Sequence, residues 1–73
     1  MPKYPNIKVK LTGTDGNAFS IVGKVKSALN DGLRKTIPSS SERSTICKQF
    51  IDEATSGDYN HVLQTCMEYV DVR

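Results

Sequence analysis

Hydrophobic residues change their spacing between Ile7 and Phe19. Ile7, Val9 and Leu11 alternate with Lys8, Lys10 and Thr12, the period-two pattern of a strand with one buried and one wet face. From Ala18 the spacing becomes helical: Ile21, Val22, Val25, Leu29 and Leu33 share one stripe, with Ser20, Lys24, Ser27 and Asp31 opposite. Between the two lies a polar loop in which Gly13 and Gly16 permit a sharp turn and Thr14 or Asp15 is expected to cap the helix. Gly32 suits a stop near residue 31, and Arg34 and Lys35 then complement the helix dipole.

Residues 34–40 contain Pro38 and begin a serine run, which marks them as the mobile connection of the chain. Ser39 and Glu42 have capping-box spacing, and Ile46, Cys47, Phe50, Ile51 and Ala54 give the buried side of a second helix that stops at Thr55-Ser56-Gly57. Asp58 caps a third helix whose predicted apolar stripe is Tyr59, Val62, Leu63, Cys66, Met67 and Val70. Val70-Asp71-Val72 alternates like the first strand. It can pair with Ile7 to Leu11 and set Asp71 against Lys8 or Lys10; the other partner for the first strand is a second copy of itself. The expected fold is therefore α+β, in the order β-α-α-α with a short C-terminal strand and the helices packed on one face. Residues 1–73 make a single small domain with a flexible terminus over residues 1–5.

At 73 residues the chain supports one small core, so its stability is expected to be modest. The net charge of +2 hides an asymmetry, for residues 1–36 carry seven basic and two acidic side chains and the rest three basic and six acidic. Lys8 and Lys10 on the strand and Lys24 and Lys26 on the first helix are the candidate partner-binding residues, as one basic patch. They serve equally to keep an edge strand soluble. Aromatic residues for base stacking are missing around them apart from Tyr4, so nucleic-acid contact would be weak and phosphate-directed. No apolar run approaches the ~20 residues of a membrane span, and the start of the chain lacks a signal-peptide core, so a cytoplasmic location is expected.

Reactive chemistry is sparsely represented. Cys47, Cys66 and His61 are too few and too dispersed for a zinc site, and two cysteines without Cys-x-x-Cys spacing read as buried thiols. Asp58 beside His61 is the only base arrangement, and Asp58 is already explained as a cap. The loop with Gly13, Asp15, Gly16 and Asn17 resembles an anion-binding junction but lacks the Lys-Ser/Thr ending of a P-loop and the third glycine of a dinucleotide fingerprint. Asp15 would repel phosphate there, and Asp15 with Asn17 offers too few oxygens for calcium. No catalytic, cofactor-binding or metal-binding residue is assigned.

Leu11 to Phe19, Glu53 to Tyr59 and Leu63 to Val72 (the TGTDGNAF, EATSGDY and LQTCMEYVDV motifs) resemble a family of small uncharacterised bacterial and phage proteins, from which Arg34 to Arg43 departs. The resemblance implies a prokaryotic or viral cytoplasm and no particular activity. The function expected is a noncatalytic interaction module that binds a protein partner or itself as a homodimer, through the strand edge or the lysine face. The alternative is a weak nucleic-acid-binding protein.

Overall fold

In the computed structural model, which describes residues 2–11 and 16–73, the chain runs β1 (Tyr4–Val9), α1 (Ala18–Gly32), α2 (Ser40–Ala54), α3 (Tyr59–Tyr69) and β2 (Val70–Val72). The α+β order and the short final strand match the periodicity. β1 and β2 pair in parallel, with Lys8 opposite Asp71 and Val9 opposite Val72. A parallel pair needs a long crossover, and here all three helices form it. Hydrogen bonds continue the ladder past the strand ends: Arg73 N–H donates to Val9 O (2.8 Å), and Leu11 N–H to Arg73 O (3.0 Å).

β1 begins at Tyr4 rather than Ile7, so Tyr4 and Pro5 are strand residues and not part of a loose terminus. The reason is Tyr69. Its ring lies 6.4 Å from that of Tyr4, Lys3 Nζ stands 4.4 Å above it, and Lys3 N–H donates to Glu68 O at 2.8 Å. Pro5 brings no N–H to the ladder, and the register slips between Tyr4 and Lys8. Ile7 and Val9 are buried while Asn6, Lys8 and Lys10 are exposed, so the wet face is the expected one.

The helix starts follow side-chain caps. α1 is capped by Asn17, not by Thr14 or Asp15: Asn17 is extended (φ −66°, ψ 129°) and its Oδ1 accepts from Phe19 N–H at 2.8 Å. Thr14, Gly13 and Asp15 lie outside the described residues. Ser39 Oγ accepts from Glu42 N–H at 3.4 Å, and Asp58 Oδ1 from His61 N–H at 2.9 Å, both at the predicted positions. Gly32 is the last residue of α1, but no left-handed turn follows; Leu33 has φ −91° and ψ −2°. Its glycine is required by packing, since a Cβ there would sit 2.7 Å from Ile7 Cγ1 and 2.9 Å from Ile7 Cδ1.

α1 lies against β1, α3 leads into β2, and α2 packs on α1 and α3. Val25, Leu29, Phe50, Ala54, Cys66 and Val70 are fully buried at their junction. Phe50 meets Tyr69 edge-on, 5.2 Å between ring centres. The connection from α1 to α2 is held by Arg43, whose Nη1 donates to Ile37 O and Pro38 O, each at 2.8 Å, while its Nε donates to Asn30 Oδ1 at 3.2 Å.

α3 is turned relative to its predicted stripe. Its buried residues are Val62, Thr65, Cys66 and Tyr69, whereas Tyr59 and Met67 are exposed. Thr65 can face the core because its hydroxyl donates to His61 O at 2.8 Å, which satisfies the polar group within the helix. Val62, Cys66 and Val70 are buried as the stripe predicted, and Tyr69 joins them in the core where Met67 does not.

Candidate functional site

The four lysines singled out by sequence are all exposed. Lys8 is exposed on the wet side of β1 and Lys10 just beyond its end, and Lys26 borders the groove between α1 and α2 with Lys48. Lys24 and Lys26 stand two residues apart on one helix, hence about 200° around its axis. Of the loop residues, Gly16 is exposed and Asn17 serves as the cap of α1. No helix among the described residues is long and apolar enough to cross a membrane.

The apolar feature that sequence reasoning missed lies where the N-termini of α1 and α3 converge. A cleft of about 210 Å³ is lined by Ala18, Phe19 and Val22 of α1, by Tyr59 and Val62 of α3, and by the turn Thr55, Gly57 and Asp58. Phe19 is 81% exposed and Tyr59 44% exposed, so both rings stand at its lips rather than in the core. Each ring follows directly from a cap. Asn17 starts α1 so that Ile21 and Val22 turn inward and Phe19 outward; Asp58 starts α3 so that Val62 turns inward and Tyr59 outward. Leu63 and Met67 follow Tyr59 at four-residue spacing, and Met67 is 54% exposed, which extends an apolar row along α3.

Gly57 brings the cap turn close to His61: a Cβ there would stand 2.9 Å from His61 Cβ and Cγ. The ring folds over the turn, with Nε2 2.8 Å from Glu53 O and 3.1 Å from Ser56 Oγ. Glu53 O can only accept, so Nε2 carries the proton and donates to it. Asp58 meets His61 through the backbone N–H and not through the imidazole. The Asp58–His61 neighbourhood is thus spent on closing the α2–α3 turn.

Cys47 and Cys66 are buried free thiols. Burial raises the Cys66 thiol to about 11. Burial also raises Cys47, with the charges of Lys26 and Arg43 drawing it partly back, and its thiol donates to Lys26 O at 3.7 Å. Burial is again the main cause at Tyr69, where the neighbouring Glu53 carboxylate adds to it and the phenol rises to about 12. All three groups are neutral at physiological pH. Among the described residues no three His, Cys, Asp or Glu side chains converge on a point that could hold a metal ion.

The chain matches no family model, no curated protein and no solved structure.

Proposed function

We propose that the protein is a noncatalytic interaction module that takes an apolar side chain of a protein partner into the cleft between Phe19 and Tyr59. The observation that carries this reading is the exposure of three large apolar residues, Phe19, Tyr59 and Met67, two of which form the lips of one apolar cleft. A phenylalanine left in water forgoes about 1.5–3 kcal/mol of burial free energy, and a partner that covers it recovers this. Aromatic side chains at the edge of a pocket are the usual anchors of protein interfaces. Asp58 is the one charged residue among those lining the cleft, so the complementary segment is apolar with a basic neighbour.

The test compares the wild-type chain with a Phe19→Ser, Tyr59→Ser variant. Light scattering over a concentration series, at low and high salt, reads self-association; affinity capture followed by binding of the purified captured protein reads a different partner. Association that survives high salt and disappears in the double variant supports the cleft. A partner or dimer that binds the double variant as tightly as the wild type removes the cleft from consideration and returns the interface to the edge of β1.

A further inference from the structure

A groove of about 500 Å³ between α1 and α2 is larger than the apolar cleft. Lys26, Ser27 and Asn30 line it from α1, and Ser44, Cys47 and Lys48 from α2, with Ile51 at one end. On α1 these are neighbours at one- and four-residue spacing; on α2 they fall at i, i+3, i+4 and i+7, a single helical face. Two facing helices therefore present one set of polar groups to the same space.

Every one of those groups can donate, and no lining residue is acidic. Asn30 is oriented by its neighbour. Arg43 Nε donates to Asn30 Oδ1 at 3.2 Å, and because a guanidinium has no acceptor the amide oxygen must face Arg43. The NH₂ end of Asn30 is then left with its donors for the groove. Lys26 and Lys48 bring two ammonium groups, Ser27 and Ser44 two hydroxyls, and the Arg43 charge stands behind Asn30, fixed by the loop carbonyls of Ile37 and Pro38. The combined charge of Lys26 and Arg43 is felt at the Cys47 thiol, which it draws back against the effect of burial.

We infer that the α1–α2 groove is a binding site for a small phosphomonoester, with Lys26, Lys48 and the Asn30 amide on the phosphate and the serine hydroxyls on a polar body. Size favours a phosphorylated metabolite over phosphate alone, since small-molecule sites commonly measure about 300–1,000 Å³. Chemistry favours an anion, because two ammonium groups, the Asn30 amide donors and two hydroxyls face one space with no carboxylate among the lining residues. The site is separate from the aromatic cleft, so it stands or falls independently of the partner proposed above.

The test is a titration of the whole chain, followed by amide NMR, with inorganic phosphate, a hexose phosphate and a nucleoside monophosphate at constant ionic strength. Saturable shifts are expected at amides of residues 26–30 and 44–51, with one of the two esters binding more tightly than inorganic phosphate. Lys26→Gln with Lys48→Gln weakens binding by about tenfold or more, the loss expected when two charge-assisted contacts go. Asn30→Asp abolishes it while leaving the acceptor for Arg43 in place, so the helix pair stays intact and the spectrum stays dispersed. Lys8→Gln with Lys10→Gln removes equal charge from the sheet and leaves binding unchanged. Shifts that never saturate, an equal loss in the Lys8/Lys10 variant, full binding by Asn30→Asp, or tighter binding of a DNA duplex at the same amides would each overturn the proposal.

Discussion

Two glycines in α1 should respond in opposite directions to the same substitution. Gly23 is exposed in mid-helix and a Cβ there meets nothing within 4 Å, so Gly23→Ala has only the helix preference to express, a gain of about 0.5–1 kcal/mol. At Gly32 the same methyl would stand 2.7 Å from Ile7 Cγ1 and 2.9 Å from Cδ1, inside any tolerated separation. Ile7 is buried and β-branched, with little rotamer freedom to retreat, so either the ring of contacts around it or the α1–β1 spacing must yield. Overpacking of this kind costs about 1–3 kcal/mol, which exceeds the smaller helix gain available at the last residue of α1 and leaves a net loss of about 1–2 kcal/mol. For a domain of this size the two variants should differ in Tm by roughly 10 °C, with Gly23→Ala above the wild type and Gly32→Ala below it. Thermal and urea unfolding followed by circular dichroism measure both. Ile7→Val removes Cδ1, and in the Gly32→Ala background it should cost less than its usual 0.5–1.5 kcal/mol or even restore stability. If Gly32→Ala proves as stabilising as Gly23→Ala, the close approach of α1 to β1 is wrong and Gly32 is only a helix terminator.

Two further outcomes follow from the cap of α3 and the buried titratable groups. Asp58→Ala deletes the acceptor for His61 N–H and should cost about 1 kcal/mol in urea unfolding, whereas Asp58→Asn should keep most of it; equal losses in both would mean that charge rather than capping matters there. Stability should also fall on the alkaline side. The folded chain keeps the Cys66 proton up to about 11 and the Tyr69 proton up to about 12, while the unfolded chain releases them from 9.0 and 10.0, so the stabilisation present below pH 9 is lost as pH rises through these values. For Tyr69 that is about 3 kcal/mol between pH 10 and 12, and Tyr69→Phe should flatten this limb of a urea-midpoint profile; an unchanged slope would show that the phenol is not desolvated.

Most of the architecture was legible because local signals agreed with the fold. The alternation of Ile7, Val9 and Leu11, the α1 stripe, and the Ser39 and Asp58 caps each sit where periodicity and hydrogen-bonding chemistry put them. The start of β1 was not, because Pro5 and Asn6 interrupt alternation and Tyr4 is ordered by Tyr69, a contact across most of the chain. The rotation of α3 was hidden for a related reason: apolar residues outnumber the buried positions, and no count of spacing says which of Tyr59, Met67 and Tyr69 stays out. The clue was available in Thr65, whose hydroxyl can be satisfied by the preceding turn and so allows burial. Neither concavity could be read locally, since Phe19 and Tyr59 come to line one cleft, and Asn30 meets Arg43, only after the helices are packed.

The parallel pairing of β1 with β2 has a consequence for how the chain reaches this structure. The two strands lie roughly 60 residues apart, and bringing such distant segments together costs roughly 3–4 kcal/mol of loop-closure entropy if nothing between them is ordered. A three-residue strand cannot supply that by itself. Once the helices have assembled, α3 delivers Val70 directly beside Tyr4, and nearly all of the closure has already occurred. The sheet should therefore be the last element to form and the first to open, with rates of folding governed by the helices and hydrogen exchange fastest at the ladder joining Val9, Leu11 and Arg73.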